Sequence, residues 1–189
     1  MQILERKKEE VEAKAEKMSD FLKMEYLENC LKHNIDIAAQ RYCCMELSKV
    51  YEKRIMYPQA IKYLSNLEGL GIGDREKISI YLKQAELMIK AGLYEQVNYP
   101  YKKAASIINE GERHELRRRI IGFYKAQAET LEKTRKIAAA LKLYERLVHL
   151  VTDAEQIEVK KKMLESYNKL GKVREYVELK KELERLPQL

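Results

Sequence analysis

Lysine and glutamate recur along this sequence at a spacing that could bind charged partners. One lysine row repeats at intervals of 37, 43 and 36 residues and comprises Lys53, Lys90, Lys133 and Lys169. The residues four positions earlier are Lys49, Glu86, Glu129 and Glu165, which places three Glu–Lys pairs one helical turn apart. Each such pair stabilises an exposed helix by about 0.2–0.5 kcal/mol. The row therefore predicts helix-stabilising surface pairs, and a lysine ladder that docks an acidic peptide is the alternative.

A second group of cations clusters in the middle of the chain. It comprises Arg113, Arg117, Arg118, Arg119, Arg135 and Lys136. Arginines one helical turn apart could contact successive phosphates, and such binding would weaken steeply with salt. No RNA-binding signature accompanies the cluster. A nucleic-acid or ribosome partner is therefore the second hypothesis, behind a protein partner.

The residue types that catalyse reactions or hold cofactors occur without partners. His33, His114 and His149 have no neighbour at a metal-ligand spacing and no Ser or Cys nucleophile motif beside them. A GxGxG tract spans residues 69–73, but no strand precedes it, so it is interpreted as a turn. We therefore predict a protein without catalytic activity and without a cofactor or metal.

The cysteines and the N-terminus bear on the compartment. Cys30, Cys43 and Cys44 are odd in number and lack a CxxC spacing, which argues against a disulfide framework and a zinc site and favours buried thiols in a reducing compartment. The first residues lack the apolar run of a signal peptide, and nowhere do 18 apolar residues follow one another. We expect a cytoplasmic protein that does not insert into membranes.

Composition predicts the elements that must position these side chains. The 189 residues include only seven Gly and three Pro and are rich in strong helix formers, which is typical of an all-α protein. Thirteen Tyr stand against two Phe and no Trp, so tyrosine must supply most of the aromatic packing. A net charge of +7, with both signs well mixed, is typical of solvated helix faces and gives a mild attraction to acidic surfaces.

Residues 1–34 are predicted to form a charged N-terminal helix or cap, either one long helix or two joined near Ser19 and Asp20. A thin apolar stripe runs along it through Leu4, Val11, Ala15, Met18 and Leu22. The stripe predicts packing by one edge, and self-association through a coiled coil is the alternative. The more apolar stretch 21–31 should pack on the helices that follow.

Residues 35–189 are predicted to form eight helices in four pairs. Expected caps are Asp36, Asp74 and Thr152 or Asp153, and Pro58 suits the first turn of its helix. Expected breaks fall at residues 69–73, at Gly111 and at Gly171. Pro100 requires either a kink or a late helix start with Asn98 as the cap.

The four pairs align on their central turns. The turn positions are Ile55, Gly92, Arg135 and Gly171. A mostly apolar column stands five residues after the turn positions and comprises Ala60, Val97, Ala140 and Tyr176. A second apolar column, twelve residues after the turn positions, comprises Leu67, Ala104, Leu147 and Leu183. The first helices contribute a column of Cys44, Tyr81, Tyr124 and Lys160, and another of Tyr51, Met88, Leu131 and Tyr167. Because one hairpin cannot bury both of its apolar stripes, we expect neighbouring hairpins to stack.

This register resembles the tetratricopeptide repeat, over residues 36–186. The second copy carries the family's residue types at Tyr81, Ala85, Gly92, Tyr94, Tyr101 and Ala104, whereas the first and third copies lack the turn glycine. The resemblance implies a right-handed superhelical solenoid of about four helical hairpins, preceded by the N-terminal helix. The end of the sequence at Leu186 and Pro187 suits either a natural terminus or a truncated longer solenoid.

The resemblance also implies a function, that of a non-enzymatic scaffold or adaptor that binds another protein or peptide through its groove or rim. The first helices would line the groove, and its candidate binding residues are Lys49, Lys53, Lys90, Lys125, Lys133 and Lys169. Relatives that grip chaperone C-termini clamp a carboxylate with Lys and Asn. Lys125 falls on one such position but Glu129 occupies the Asn site, so that partner class is disfavoured.

Overall fold

The described part of the computed structural model, residues 4–185, consists of α-helices joined by turns and contains no strand. Its ten helices are α1 (Lys8–Ala15), α2 (Asp20–Leu31), α3 (Ile37–Lys53), α4 (Tyr57–Asn66), α5 (Asp74–Lys90), α6 (Asn98–Ala105), α7 (Glu110–Lys133), α8 (Ile137–Leu147), α9 (Asp153–Lys169) and α10 (Val173–Glu184). Short 3₁₀ helices cover Leu67–Gly69 and Tyr94–Val97. These helices, with no strand among residues 4–185, confirm the all-α fold class. No helix in the same range is long and apolar enough to cross a membrane.

The chain divides between Asn109 and Glu110 into two compact units. In the first unit, α1 and α2 pack on α3, the pairs α3–α4 and α5–α6 form hairpins, and α4 packs on α5. In the second unit, α7–α8 and α9–α10 form hairpins, and α8 packs on α9. Stacking of neighbouring hairpins is therefore present within each unit. The predicted domain boundary near residue 34 stays a prediction.

The N-terminal segment forms two helices, with Ser19 as the N-cap residue of the second. Val11 and Ala15, from the thin apolar stripe, are fully buried in the core of the first unit together with Tyr26, Leu27 and Cys30. Leu4 and Leu22, from the same stripe, are exposed. The predicted packing by one edge is therefore confirmed for Val11 and Ala15 but not for Leu4 and Leu22, and self-association through this helix stays a prediction.

Helix starts follow local capping chemistry in several places. The Asp36 carboxylate accepts a hydrogen bond of 2.6 Å from the Ala39 N–H, and Thr152 forms a capping box with Glu155. Pro58 lies in the first turn of α4, where its missing N–H is not needed. These starts were predicted correctly.

Three other boundaries differ from the sequence prediction. Asp74 and Asn98 were expected as caps, but each is the first helical residue, preceded by Gly73 and Val97 as N-cap residues. Pro100 is accommodated by the late start of α6, after a 3₁₀ turn. Gly111 does not interrupt a helix; it lies in the first turn of α7, and the break between α6 and α7 falls before Glu110.

The four predicted turn positions share one backbone geometry. Ile55, Gly92, Arg135 and Gly171 have φ values of 62°, 76°, 59° and 67°. The following residue donates its N–H to a carbonyl five residues earlier, and these acceptors are Tyr51, Met88, Leu131 and Tyr167, at 2.9, 2.8, 2.8 and 2.9 Å. The turn residue itself donates to a carbonyl three residues earlier in every case. All four are thus Schellman motifs, and the column of acceptors is one that the sequence alignment had identified.

The aligned columns are packing positions in the first three hairpins. Ala60, Val97 and Ala140 are buried, as are Leu67, Ala104 and Leu147 twelve residues after the turn. In the first helices Cys44, Tyr81 and Tyr124 are buried too. The fourth hairpin differs, because Tyr176, Leu183 and Lys160 are only partly buried. The interpretation of these columns as packing residues is confirmed for three copies.

Candidate functional site

The lysine row has a structural cause that the sequence did not show. Each of its members lies in the last turn of the first helix of a hairpin, two residues before the turn residue. The C-terminal end of a helix carries a partial negative charge, which a lysine there stabilises by about 0.3–1 kcal/mol. Recurrence of lysine at this position therefore needs no ligand to explain it.

In the first unit the lysines of the row, and Lys49 four residues before it, are neutralised by ion pairs. Lys53 pairs with Asp20 at 2.6 Å and Lys49 pairs with Glu46 at 2.6 Å. Lys90 pairs with Glu86 at 2.5 Å, as predicted, and also with Glu52 at 3.0 Å.

The pair Lys90–Glu86 belongs to a half-buried charge cluster of four residues, Glu52, Lys83, Glu86 and Lys90. Lys83 lies 2.9 Å from Glu52 and 3.0 Å from Glu86. Burial raises the pKa of Glu86, but the hydrogen bonds from Lys90 and Lys83 outweigh it and hold this pKa below its ordinary value. Burial likewise lowers the pKa of Lys90, and the hydrogen bonds to Glu86 and Glu52 raise it above its ordinary value. Both residues are therefore charged at neutral pH and satisfy each other.

The second unit pairs its lysines differently. Lys125 pairs with Glu155 at 2.8 Å, across from α7 to α9. Lys133 and Lys169 are exposed and, within residues 4–185, neither lies in an ion pair. The predicted pairs of these two lysines with Glu129 and Glu165 do not form, because Glu165 turns toward Lys162 and Glu129 toward the groove described next.

A groove lies between α7 and α9, the first helices of the two hairpins in the second unit. It contains a cavity of about 60 Å³ lined by Lys125, Glu129, Tyr144, Leu147, Glu158, Val159 and Lys162. Tyr144, Leu147 and Val159 are buried and form its floor. Of the candidate binding residues predicted from sequence, only Lys125 lines this cavity.

The cavity lining contains two carboxylates and two lysines, and both lysines also contact carboxylates outside the lining. Glu129 and Glu158 line the cavity, and in the described part of the chain neither is in an ion pair. The two lining lysines are shared among three further carboxylates, those of Glu132, Glu155 and Glu165. Lys162 contacts Glu132 and Glu165 only at 3.7 and 3.9 Å. The groove is therefore acidic, although the chain as a whole is basic.

Two buried polar atoms beside this cavity have no hydrogen-bond partner. They are the Tyr144 hydroxyl oxygen and the Oε1 atom of Glu132. Tyr144 is only 4% exposed. Burial raises its pKa well above the ordinary value, and the nearby carboxylates of Glu132 and Glu129 raise it further. The tyrosine is therefore a neutral hydroxyl close enough to the Glu132 carboxylate to interact with it, but no hydrogen bond of normal geometry joins the two.

The arginine cluster does not form one continuous track. Arg117, Arg118 and Arg119 are consecutive on α7, so their side chains leave the helix about 100° apart. Arg117 donates to the Leu150 carbonyl at 3.0 Å, and Arg118 pairs with Glu115. Arg113, Arg119, Arg135 and Lys136 are exposed, and none of these four is in an ion pair within the described residues.

Arg117 has a counterpart in the first unit that sequence reasoning missed. Arg41 of α3 donates to the Leu70 carbonyl at 2.6 and 2.8 Å and to the Gly71 carbonyl at 2.6 Å. Leu70 and Leu150 both lie fifteen residues after their turn residue, so an arginine binds the same carbonyl in both units. Arg117 is thereby explained as a structural residue.

The second unit has a further cavity, between α8, α9 and α10. It measures about 360 Å³ and is lined by Glu145, Val148, His149, Gln156, Lys160, Met163, Leu179 and Glu182. The pair Lys160–Glu182, at 2.8 Å, joins α9 to α10 among these lining residues. Among the described residues, no buried polar side-chain atom of this lining lacks a hydrogen-bond partner.

The three cysteines are buried and free. A hydrogen bond from Cys43 lowers the pKa of Cys30 to about 7 against the effect of burial. Burial alone raises the pKa of Cys44 to about 11. Their interpretation as buried thiols is confirmed.

No model of a known protein family matches this chain, and no curated protein is significantly similar to it in sequence.

Proposed function

We propose that this protein is a non-enzymatic scaffold that binds another protein through the groove between α7 and α9. The observation that carries the proposal is a concave, acidic groove whose floor holds the unpartnered Tyr144 hydroxyl. Four hairpins with one turn geometry support a solenoid related to tetratricopeptide repeats, right-handed and superhelical, as the architecture that presents this groove. A cytoplasmic location is part of the same proposal.

An affinity capture from extracts of the native host tests the scaffold function. Wild-type protein is compared with a Glu129→Lys, Glu158→Lys variant, which reverses two exposed charges of the cavity lining, and with Glu178→Lys, an exposed control on α10. We expect a defined set of proteins to be captured by the wild type and the control and to be lost with the double variant, whose fold is checked by circular dichroism. Equal capture by all three would contradict a role of this groove.

Binding to RNA is the second candidate function. It is favoured by Arg113, Arg119, Arg135 and Lys136, which are exposed and free of carboxylates in the described part of the chain. A filter-binding titration with mixed-sequence RNA, from 20 mM salt upward, separates it from the scaffold function. Affinity that falls steeply with salt would support RNA binding, and no affinity at the lowest salt would eliminate it.

A further inference from the structure

We propose that the cavity between α7 and α9 binds a cationic side chain, the guanidinium of an arginine or the ammonium of a lysine, presented by the protein partner. This inference rests on the proposed scaffold function and names the chemistry that the groove would recognise. It assigns a site to Tyr144, Glu129 and Glu158, none of which the sequence had identified as binding residues.

The hydrogen-bonding groups around the cavity are mostly acceptors. Glu129 and Glu158 contribute free carboxylates, and the buried Oε1 atom of Glu132 lacks a donor. The Tyr144 hydroxyl can accept a hydrogen bond as well. Guanidinium and ammonium groups only donate, so they complement this set, whereas a carboxylate ligand would meet the unpaired carboxylates of Glu129 and Glu158. The acidic peptide considered from the lysine row is therefore a poor fit here.

The two lysines of the groove do not satisfy these acceptors. Lys125 forms an ion pair of 2.8 Å with Glu155, which lies in the first turn of α9. Lys162 lies between Glu132 and Glu165 at 3.7 and 3.9 Å, beyond normal hydrogen-bond distance from both. One more cation would therefore improve the local charge balance.

The size of the cavity fits a small head group. It measures about 60 Å³ and has room for more than one water molecule. The end of a lysine or arginine would enter it, and its aliphatic stem could lie against Leu147 and Val159 on the floor.

The first unit provides an internal comparison, because the residues at the same register of its helices are different. Counted from the turn residues, Glu129 corresponds to Lys49, Glu158 to Ser79 and Tyr144 to Leu64. The shared framework is retained, since Glu132 and Lys162 correspond to Glu52 and Lys83, which also form an ion pair. Glu129 and Glu158 each add a carboxylate to the second unit, and Tyr144 adds a hydroxyl. Packing does not require the Tyr144 hydroxyl, because Leu64 is buried equally well at 2% exposure.

Methyl-labelled protein titrated with single capped amino acids tests the proposal by NMR. The probes are N-acetyl-arginine amide, N-acetyl-lysine amide, the neutral N-acetyl-citrulline amide and N-acetyl-aspartate amide. We expect the arginine or the lysine probe to shift the methyl signals of Leu147 and Val159 with saturation in the millimolar range. Citrulline and aspartate should leave these signals unchanged. The two cationic probes distinguish which side chain the cavity prefers.

Variants that copy the first unit sharpen the test. Glu129→Lys combined with Glu158→Ser should weaken binding of the cationic probe at least tenfold, and Tyr144→Phe should weaken it several-fold. Glu178→Lys makes the charge change of the first substitution on α10 and should leave the affinity unchanged. The methyl spectrum itself reports whether each variant is folded.

Three outcomes would overturn the proposal. They are unshifted Leu147 and Val159 signals at 50 mM of both cationic probes, equal shifts with citrulline, and shifts confined to Leu64 and Ile80 in the first unit. The scaffold function is tested separately by capture from host extract. If capture depends on the groove but the cationic probes do not bind, the scaffold function stands and the cationic ligand is wrong.

Discussion

At the scale of single residues, the backbone conformation of the four turns separates two kinds of sequence signal. Gly92 and Gly171 have positive φ, which glycine adopts without strain. Ile55 and Arg135 adopt the same conformation at a cost of about 1–2 kcal/mol each, because Cβ approaches the carbonyl oxygen. Only two of the four turns therefore carry a recognisable turn residue, and the other two were located by their spacing from the apolar columns.

Replacing Ile55 with glycine should stabilise the protein. Ile55 is 71% exposed, so little packing is lost, and relief of the left-handed strain outweighs the extra freedom of the unfolded chain. We expect a gain of about 0.5–1 kcal/mol in the free energy of unfolding, measured with urea. Gly92→Ala is the reverse control and should lose about 1 kcal/mol, because no atom lies close to the added Cβ and only the backbone is strained. A gain from both substitutions would show that the turn geometry is wrong.

Removing the hydroxyl of Tyr144 should also stabilise the protein. A buried polar group without a partner costs about 1–3 kcal/mol, so Tyr144→Phe should raise the free energy of unfolding by about 1 kcal/mol at pH 7. The pKa of Tyr144 is raised in the folded state, so the unfolded chain loses this proton first, and the free energy of unfolding of the wild type falls as the pH rises above the unfolded pKa of about 10. The wild type should therefore lose stability faster than Tyr144→Phe above pH 10.

This stability change is a sign of function as well as of packing. A residue that lowers stability in the unbound protein and lies in a groove is expected at a binding site, where stability is commonly lower than it could be. A Tyr144→Phe variant that is less stable than the wild type would mean that the hydroxyl already has a partner. The Leu64→Met substitution in the first unit is a matched control and should cost less than about 1.5 kcal/mol.

At the scale of elements, pairs of first helices are joined by charges at one register in both units. Glu52 and Glu132 each stand three residues before a turn residue, and Lys83 and Lys162 each stand nine residues before the next one. Their separations are 2.9 and 3.7 Å, so the pair is tight in the first unit and loose in the second. The first helices are therefore joined by a close ion pair in the first unit, whereas their equivalents in the second unit, α7 and α9, flank an open cavity.

Neutralising Glu86 should destabilise the first unit. This carboxylate is 24% exposed and contacts Lys83 and Lys90, so Glu86→Gln should cost about 1 kcal/mol at pH 7. Its pKa is lowered in the folded state, so its contribution is present above the unfolded pKa near 4.5 and is lost as the pH falls through the folded value. The difference between wild type and Glu86→Gln should consequently shrink between pH 5 and 3, as measured by urea unfolding at each pH.

Glu165→Gln is the matched control for this prediction. Glu165 occupies the equivalent position in the second unit, is 55% exposed and contacts only Lys162, at 3.9 Å. Exposed pairs contribute between zero and about 1 kcal/mol, so the substitution should be close to neutral. Equal losses from the two substitutions would show that the charge cluster of the first unit is not special.

The register of the hairpins could be predicted from sequence, whereas the contents of the groove could not. Turn positions and buried columns follow from spacings within one hairpin, such as Tyr51 to Ala60. The groove depends on partners about 30 residues apart on separate helices, such as Lys125 and Glu155. Local Glu–Lys spacing suggested a partner for Lys133, but Glu129 faces the cavity instead. The lysine row was visible in the sequence, and its cause, the helix C-terminus, emerged only with the helix ends.

At the scale of the whole molecule, the chain contains the same arrangement twice. Each unit has a first hairpin with a non-glycine turn residue and a second with glycine, and the turn residues of corresponding hairpins are 80 and 79 residues apart. Each unit also has its own arginine that binds the carbonyl fifteen residues after the first turn. The type of turn residue and the arginine-to-carbonyl hydrogen bond therefore repeat with this doubled period, whereas the lysine row and the turn geometry repeat in every hairpin.

This doubled period predicts that the second unit folds on its own. A fragment of residues 110–189 retains both of its hairpins, the packing of α8 on α9 and both ion pairs between α7 and α9. We expect a helical circular dichroism spectrum, a cooperative thermal transition and the same response of Leu147 and Val159 to the arginine or lysine probe as in the full chain. The matched control ends one hairpin earlier, at residue 151, and should unfold because α7 and α8 alone leave the buried Leu147 without cover from α9. A folded single hairpin, or an unfolded pair, would mean that the two-hairpin unit is not the cooperative element of this protein.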